Sequence, residues 1–219
     1  MSKDPKFVAE QLRKPSGTSA TETAQQMNKA NKATNLAALK ALNVVSGDCV
    51  LEIGPGNGKF AVNVLRKGSY VRYTGIDWSS DMVANAKDLN SKYVESGQMD
   101  FRVGSSESLP FSDGKFDKVI AVHTIYFWEV LQTHLTEIYR VLVPDGKLCL
   151  AFADKSFMQN LPFTQFGFRL FDEGDIRAEL SDAGFKVISC GKHSEYGENN
   201  TKQLVEKKIN IIVCEPDKR

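Results

Sequence analysis

Four residues within one short run have the types and spacing to do chemistry together: Glu52, Gly54, Gly56 and Gly58, in Val50-Leu51-Glu52-Ile53-Gly54-Pro55-Gly56-Asn57-Gly58-Lys59-Phe60. Glycines at alternate positions let backbone approach a ligand closely, because no Cβ stands in the way. A second acid, Asp77, lies 23 residues after Gly54, about the distance at which a carboxylate reaches a ribose in a strand–loop–helix nucleotide site. Trp78 follows it directly, with an aromatic face that can lie along a purine. The spacing departs from the dinucleotide fingerprint, since Lys59 stands where that pattern needs its third glycine. Glu52 departs from it too, because an ionised carboxylate beside the loop repels a pyrophosphate. A ligand carrying an ammonium and a sulfonium would be attracted instead.

These residues need a scaffold, and the hydrophobic pattern supplies one. Val50 to Ile53 read as a short buried strand, and Phe60, Ala61, Val64 and Leu65 begin a helical face after the glycines. A second strand runs from Tyr70 to Ile76 and delivers Asp77 at its end. Ser79 or Ser80 caps a helix with Met82, Ala86, Leu89 and Tyr93 on one side. Further strands are expected at Met99–Val103, Asp117–Val122, Lys147–Phe152 and Phe185–Ser189. A helix with Val130, Leu131, Leu135, Ile138 and Leu142 inward precedes the fifth strand, and another over Asp172–Ala183 precedes the sixth. Residues 191–203 are polar without helical period, so the return over Ile209–Val213 is an antiparallel hairpin partner, because parallel neighbours need a long crossover. The expected fold class is α/β: a Rossmann-like, doubly wound, seven-stranded sheet, mostly parallel with an antiparallel last strand and helices on both faces. Residues 1–44 precede the sheet as a helical leader or cap, opened by a capping-box pattern at Ser19-Ala20-Thr21-Glu22, with Met27, Leu36, Leu39 and Leu42 as apolar positions. Residues 45–219 form the main domain.

Glu52, Gly54, Gly56 and Gly58 resemble the first motif of class I S-adenosylmethionine-dependent methyltransferases. Gly104-Ser105-Ser106-Glu107-Ser108-Leu109-Pro110-Phe111, followed by Asp113 and Phe116-Asp117, resembles the small-molecule methyltransferases of the ubiquinone and menaquinone biosynthesis type. The resemblance implies S-adenosyl-L-methionine as cofactor, with Ser105, Ser106 and Glu107 beside its adenine. Ser105 stands where the family usually has an acid; a hydroxyl can still accept a hydrogen bond there. Met82 and Val122 belong to the same implied cofactor site, as does His123 just past the fourth strand.

Methyl transfer from a sulfonium is an in-line displacement, so the protein mainly positions two reactants and excludes water. If the acceptor must lose a proton, His123 is the first candidate base and Tyr126 the second; the competing reading makes His123 a pocket wall. Met27, Asn28, Tyr126, Phe157, Phe163 and Phe166 are the candidate acceptor contacts, the last three from an aromatic connection between Asp154 and Phe171 read as a lid. An apolar or aromatic small molecule is the acceptor this implies. His123-Thr124-Ile125-Tyr126 lacks the tetrad of methyltransferases that act on DNA bases, and a net charge of +1 gives no reason to expect nucleic acid as partner. No apolar run approaches the roughly 20 residues of a membrane span. The amino terminus lacks a signal-peptide core, and the four scattered cysteines lack paired spacing, which suits reduced thiols in the cytosol rather than disulfides or metal. Composition leaves the oligomeric state open. Two other classes compete: a methyltransferase-like module that binds without catalysis, and a nicotinamide-dependent oxidoreductase, the latter opposed by Glu52 and Lys59.

Overall fold

The computed structural model describes residues 4–198 and 204–217. A helix α1 (Pro5–Arg13) and a longer α2 (Ala20–Leu42) precede the first strand, β1 (Cys49–Ile53). Then follow α3 (Ala61–Leu65), β2 (Arg72–Asp77), α4 (Ser80–Leu89), α5 (Ser91–Glu95), β3 (Met99–Val103), β4 (Phe116–Val122) and α6 (Leu131–Val141). The chain closes with β5 (Leu142–Ala153), α7 (Lys155–Met158), α8 (Glu173–Asp182), β6 (Phe185–Glu198) and β7 (Leu204–Pro216).

The described strands form a seven-stranded sheet in the order β3-β2-β1-β4-β5-β7-β6. β1 pairs parallel with β2 and with β4, while β7 runs antiparallel between β5 and β6. Val50, Leu51, Glu52 and Ile53 are buried in succession, as are Val119 to Val122, so both faces of the central strands are covered. Each such aliphatic side chain contributes about 1.5–3 kcal/mol on burial. α2 packs on β4, β5 and β7, and its Ala38, Leu39 and Leu42 join the same core cluster as the strands.

Several local expectations give way. Ser19 has helical backbone angles and makes no capping bond, because the chain enters α2 through a single 3-10 turn at Gly17–Ser19. Leu36 (42% exposed) and Leu89 (51%) face outward rather than toward the core. Tyr70 lies ahead of β2 with a left-handed φ of 61° and is 87% exposed. β6 continues well past Ser189, and β7 begins before Ile209, so the polar stretch is a long hairpin; residues 199–203 lie outside the described ones. A hairpin whose inward positions on α2 are themselves polar, His193, Glu195 and Lys207, carries no alternating apolar signal, which is why its length escapes a pattern reading. α8, by contrast, starts on a full capping box in which Asp172 and Asp175 each accept from the other's backbone N–H.

Candidate active site

The carboxyl ends of β3, β2, β1 and β4 lie side by side, and they bring Gly104, Asp77, Gly54 and His123 into one row. The open edge of such a sheet is where α/β folds bind ligands. A cleft of about 290 Å³ runs along this row, roofed by α2 and by the end of α1. That is the lower end of the roughly 300–1,000 Å³ usual for small-molecule sites.

The glycine loop has steric reasons for two of its glycines. A Cβ on Gly54 (φ 71°) would fall well inside contact distance of Cγ2 of Thr124, and one on Gly58 would meet Asn90, Ala86 and Phe101 at 2.9–3.0 Å. Gly58 therefore serves helix packing and does not line the cleft, whereas Gly54 and Gly56 do. The Gly56 N–H donates to Oδ2 of Asp77 at 3.0 Å, and the Ser79 N–H donates to its Oδ1 at 2.9 Å. Asp77 is thereby fixed in direction while keeping lone pairs for a ligand. Burial pushes its pKa up to about 6, against the lowering pull of those two N–H groups. Glu52 is 6% exposed and accepts a 2.7 Å hydrogen bond from the Tyr73 hydroxyl. Burial pushes it up to about 7, the Tyr73 bond opposing and the Asp77 charge adding. Two acids held near neutrality by desolvation gain by meeting a cation.

At the β4 end, His123 has a left-handed φ of 58°. Its Nδ1 lies 3.0 Å from the Tyr126 hydroxyl, and that hydroxyl accepts the Ala153 N–H. The tyrosine's own hydrogen then has one acceptor in contact, Nδ1, which leaves the imidazole hydrogen on Nε2. Nε2 is sealed from solvent and has no partner, and the same holds for Oγ1 of the neighbouring Thr124. Burial, aided by the charge of Lys207, holds His123 well below the usual histidine range, so the ring is neutral. Tyr126 itself is 3% exposed and lies behind the cleft wall, not on it.

The other candidates divide clearly. Met27, Asn28, Glu52, Gly54, Gly56, Asp77, Trp78, Met82, Ser105, Ser106, Glu107, Val122 and His123 all line the cleft. Phe157, Phe163 and Phe166 do not. Phe157 and Phe163 pack against the core, Phe166 is 38% exposed, and Phe163 meets Phe168, which in turn packs on Phe127 at 4.7 Å. The aromatic connection is thus a layer behind the wall, because rings from 163 to 168 bury themselves against Phe127 and α1 before any of them reaches the cleft.

Residues that the sequence motifs do not single out complete the wall: Arg13, Asn31, Asn35, Thr124, Trp128 and His134 among them. Asn28, Asn31 and Asn35 recur at helical spacing on one side of α2, a signal the sequence carries. The end of α1 is tied across the mouth. Trp78 Nε1 donates to the Arg13 carbonyl at 2.7 Å, Ser79 Oγ donates to the Pro15 carbonyl, and the Gly17 N–H donates to Asp81 at 2.8 Å. The Arg13 guanidinium also pairs with Glu129 at 3.1 Å.

Comparison with known proteins places the chain among methyltransferases. Residues 51–150 match the methyltransferase domain family. The O-methyltransferase rstn1 of Aspergillus nomiae is 32% identical over 155 residues, which cover 67% of this chain and 68% of that protein. The ubiquinone/menaquinone biosynthesis C-methyltransferase UbiE of Geotalea daltonii is 30% identical over 114 residues, 52% of this chain and 48% of the relative. Among solved structures, the geranyl diphosphate C-methyltransferase of Streptomyces coelicolor, in complex with S-adenosyl-L-homocysteine, superposes with a TM-score of 0.70 at 12% identity, over 93% of this chain and 88% of that one. The chain spans 68%, 41% and 62% of the lengths of the first three relatives it matches. The chain belongs to the class I S-adenosylmethionine-dependent methyltransferase family. Its cleft fits that cofactor: the buried carboxylate of Glu52 suits a cation, Asp77 suits a ribose, and space is open at the Gly56 Cα.

Proposed function

We propose that this methyltransferase acts on an ionised oxygen, a carboxylate or an acidic hydroxyl, of a small polar molecule. When bound, S-adenosylmethionine supplies a methyl group already activated on a sulfonium. Glu52 would hold the positive part of the cofactor and Asp77 its ribose, and the strap from α1 would keep water out. The observation that carries the acceptor class is the wall beyond Gly54. It carries the amides of Asn28, Asn31 and Asn35, with the unpartnered Nε2–H of His123 and hydroxyl of Thr124 sealed just beneath the surface, and none of the three lid phenylalanines. An oxygen anion accepts hydrogen bonds from such donors, and these bonds are stronger when the acceptor is charged.

His123 in this tautomer presents a donor, not a base, so the acceptor loses its proton before it arrives. That suits groups acidic enough to be ionised at neutral pH. The O-methyltransferase name of the relative from Aspergillus nomiae supports the same reading. The test is trideuteromethyl-labelled S-adenosylmethionine with matched panels of small carboxylic acids, acidic phenols and amines, read by mass spectrometry. Labelled esters or ethers are expected. Label entering only amines, or only macromolecules, would overturn the proposal.

A further inference from the structure

Glu52 lines the cleft, yet it sits on a central strand and is only 6% exposed, so its carboxylate has to be aimed. In the parallel register of β1 and β2, Gly75 stands opposite Glu52 and Tyr73 opposite Val50. Gly75 has no side chain to set against the carboxylate. Tyr73, two residues earlier on the same face, reaches diagonally along the strand instead. Its hydroxyl donates to Oε2 of Glu52 at 2.7 Å. The tyrosine is 1% exposed and its ring packs on Phe101 with centroids 5.5 Å apart, which holds the hydroxyl in place.

Oε1 of Glu52 has no hydrogen-bond partner among the described residues and is not sealed from solvent. Besides the cleft, Glu52 borders a slot of about 10 Å³ between α2 and α3, lined also by Asn35 and Asn63. That is room for about one water. A ligand cation therefore meets this carboxylate from the cleft side.

We propose that Tyr73 is a positioning residue for the methyl donor, acting through Glu52: its hydroxyl holds Oε2 and so presents Oε1 to the cationic part of the cofactor. The inference rests on the cofactor assignment and adds a residue that does not itself line the cleft. The same bond works on the charge of Glu52. Burial favours the protonated acid and the Asp77 carboxylate adds to that, while the Tyr73 bond opposes both. The other elements packed around Glu52 contribute Ile120 from β4, Asn35 from α2 and Asn63 from α3, none of them charged. His123 past β4 is neutral, and Lys14 on the strap acts on Asp77. Burial and the Glu52 charge hold the Tyr73 hydroxyl well above the usual phenol range, so it stays a donor.

The experiment is calorimetric titration of S-adenosylmethionine into the full chain and into Tyr73→Phe, from about pH 6 to about pH 9. Phenylalanine keeps the ring on Phe101, and circular dichroism at each pH confirms that the variant is folded. With the donor gone, the pH at which affinity rises should move up by about one unit, the worth of a hydrogen bond to a charged group. The variant should then bind about five-fold more weakly near pH 7 and come within about two-fold of the parent near pH 9. In a Glu52→Gln background the same substitution should shift no midpoint, because neither form titrates at that position. A folded Tyr73→Phe that matches the parent throughout would overturn the proposal. So would one that is weaker by the same factor at every pH, because lost packing has no midpoint. A parent that does not bind S-adenosylmethionine would overturn the cofactor assignment, and the proposal with it.

Discussion

The Tyr126 hydroxyl, 3.0 Å from Nδ1 of His123, decides which nitrogen of that imidazole carries the hydrogen. The same hydroxyl accepts the Ala153 N–H at the end of β5, so strand, tyrosine and histidine form one chain of hydrogen bonds. Tyr126→Phe breaks it at the centre. It strands the buried Ala153 N–H, a loss of about 1–3 kcal/mol in stability. It also frees the histidine to carry its hydrogen on either nitrogen. Nitrogen NMR of the imidazole should show one tautomer in the parent and a mixture in Tyr126→Phe. A mixture already present in the parent would remove the basis for treating His123 as a fixed donor.

Gly54→Ala is expected to be severe. The new methyl would overlap Thr124 Cγ2, and the residue must hold a φ of 71° that alanine disfavours. Strain and a displaced β4 loop together should cost about 2–4 kcal/mol and abolish cofactor binding. Gly56→Ala has the same positive φ but no neighbour within 4 Å, so its stability loss should be about 1–2 kcal/mol. Thermal melting of the two variants side by side checks the order; equal losses would show that backbone angle alone matters at both positions.

Glu52 and Asp77 couple the cleft to pH. Both have native pKa values raised by burial, to about 7 and about 6, above their ordinary carboxylate values. The folded state therefore holds more protons than the unfolded chain between about pH 4 and 7, and stability from these groups falls as pH rises through that window. A bound cation reverses the preference, so affinity for S-adenosylmethionine should rise as pH climbs from about 5.5 to about 7.5, with release of protons on binding. Calorimetry in buffers of differing ionisation enthalpy measures that release. Glu52→Gln should flatten both trends; affinity independent of pH in the parent would place the cofactor's positive charge elsewhere.

The parts of this site that are legible in the sequence are those fixed by local rules. Val50–Ile53 is an apolar run that becomes a central strand, and alternate glycines after it mark a loop whose sterics are set within a few residues. Asp77 is readable because the length of a strand–helix–strand unit fixes its distance from Gly54. His134 is not readable. It occupies an ordinary inward position of an amphipathic helix, and its partner Ser106 lies 28 residues earlier, so only tertiary packing joins them. Phe157, Phe163 and Phe166 mislead in the opposite sense. A cluster of aromatics signals burial, and burial behind a wall looks the same in sequence as burial within a pocket. The asparagines of α2 at 28, 31 and 35 have a helical spacing to be found, but polar residues on a leader helix first suggest a solvated face.

The strap at the end of α1 gives the last prediction. Arg13, Pro15 and Gly17 are bonded to Trp78, Ser79 and Asp81 past β2, and Arg13 also reaches Glu129 past β4. The segment thus lies across one side of a cleft of about 290 Å³, where its opening would widen the way in. Its hold is modest: each hydrogen bond contributes about 0.5–1.5 kcal/mol and the exposed ion pair about 0–1. Opening therefore costs a few kcal/mol, within the range of local fluctuations that leave the rest folded. Asp81 does not line the cleft, so Asp81→Ala weakens the strap without touching the ligand. Losing about 1 kcal/mol there should speed both entry and exit of S-adenosylhomocysteine by about five-fold, with an equilibrium constant changed by less than about three-fold. Stopped-flow tryptophan fluorescence, from Trp78 and Trp128 in the cleft wall, reads both rates. Hydrogen exchange should show residues 5–19 protected by ligand in the parent and less so in the variant. Unchanged rates, with exchange over residues 5–19 indifferent to ligand, would make the segment a packing element and require another route into the cleft.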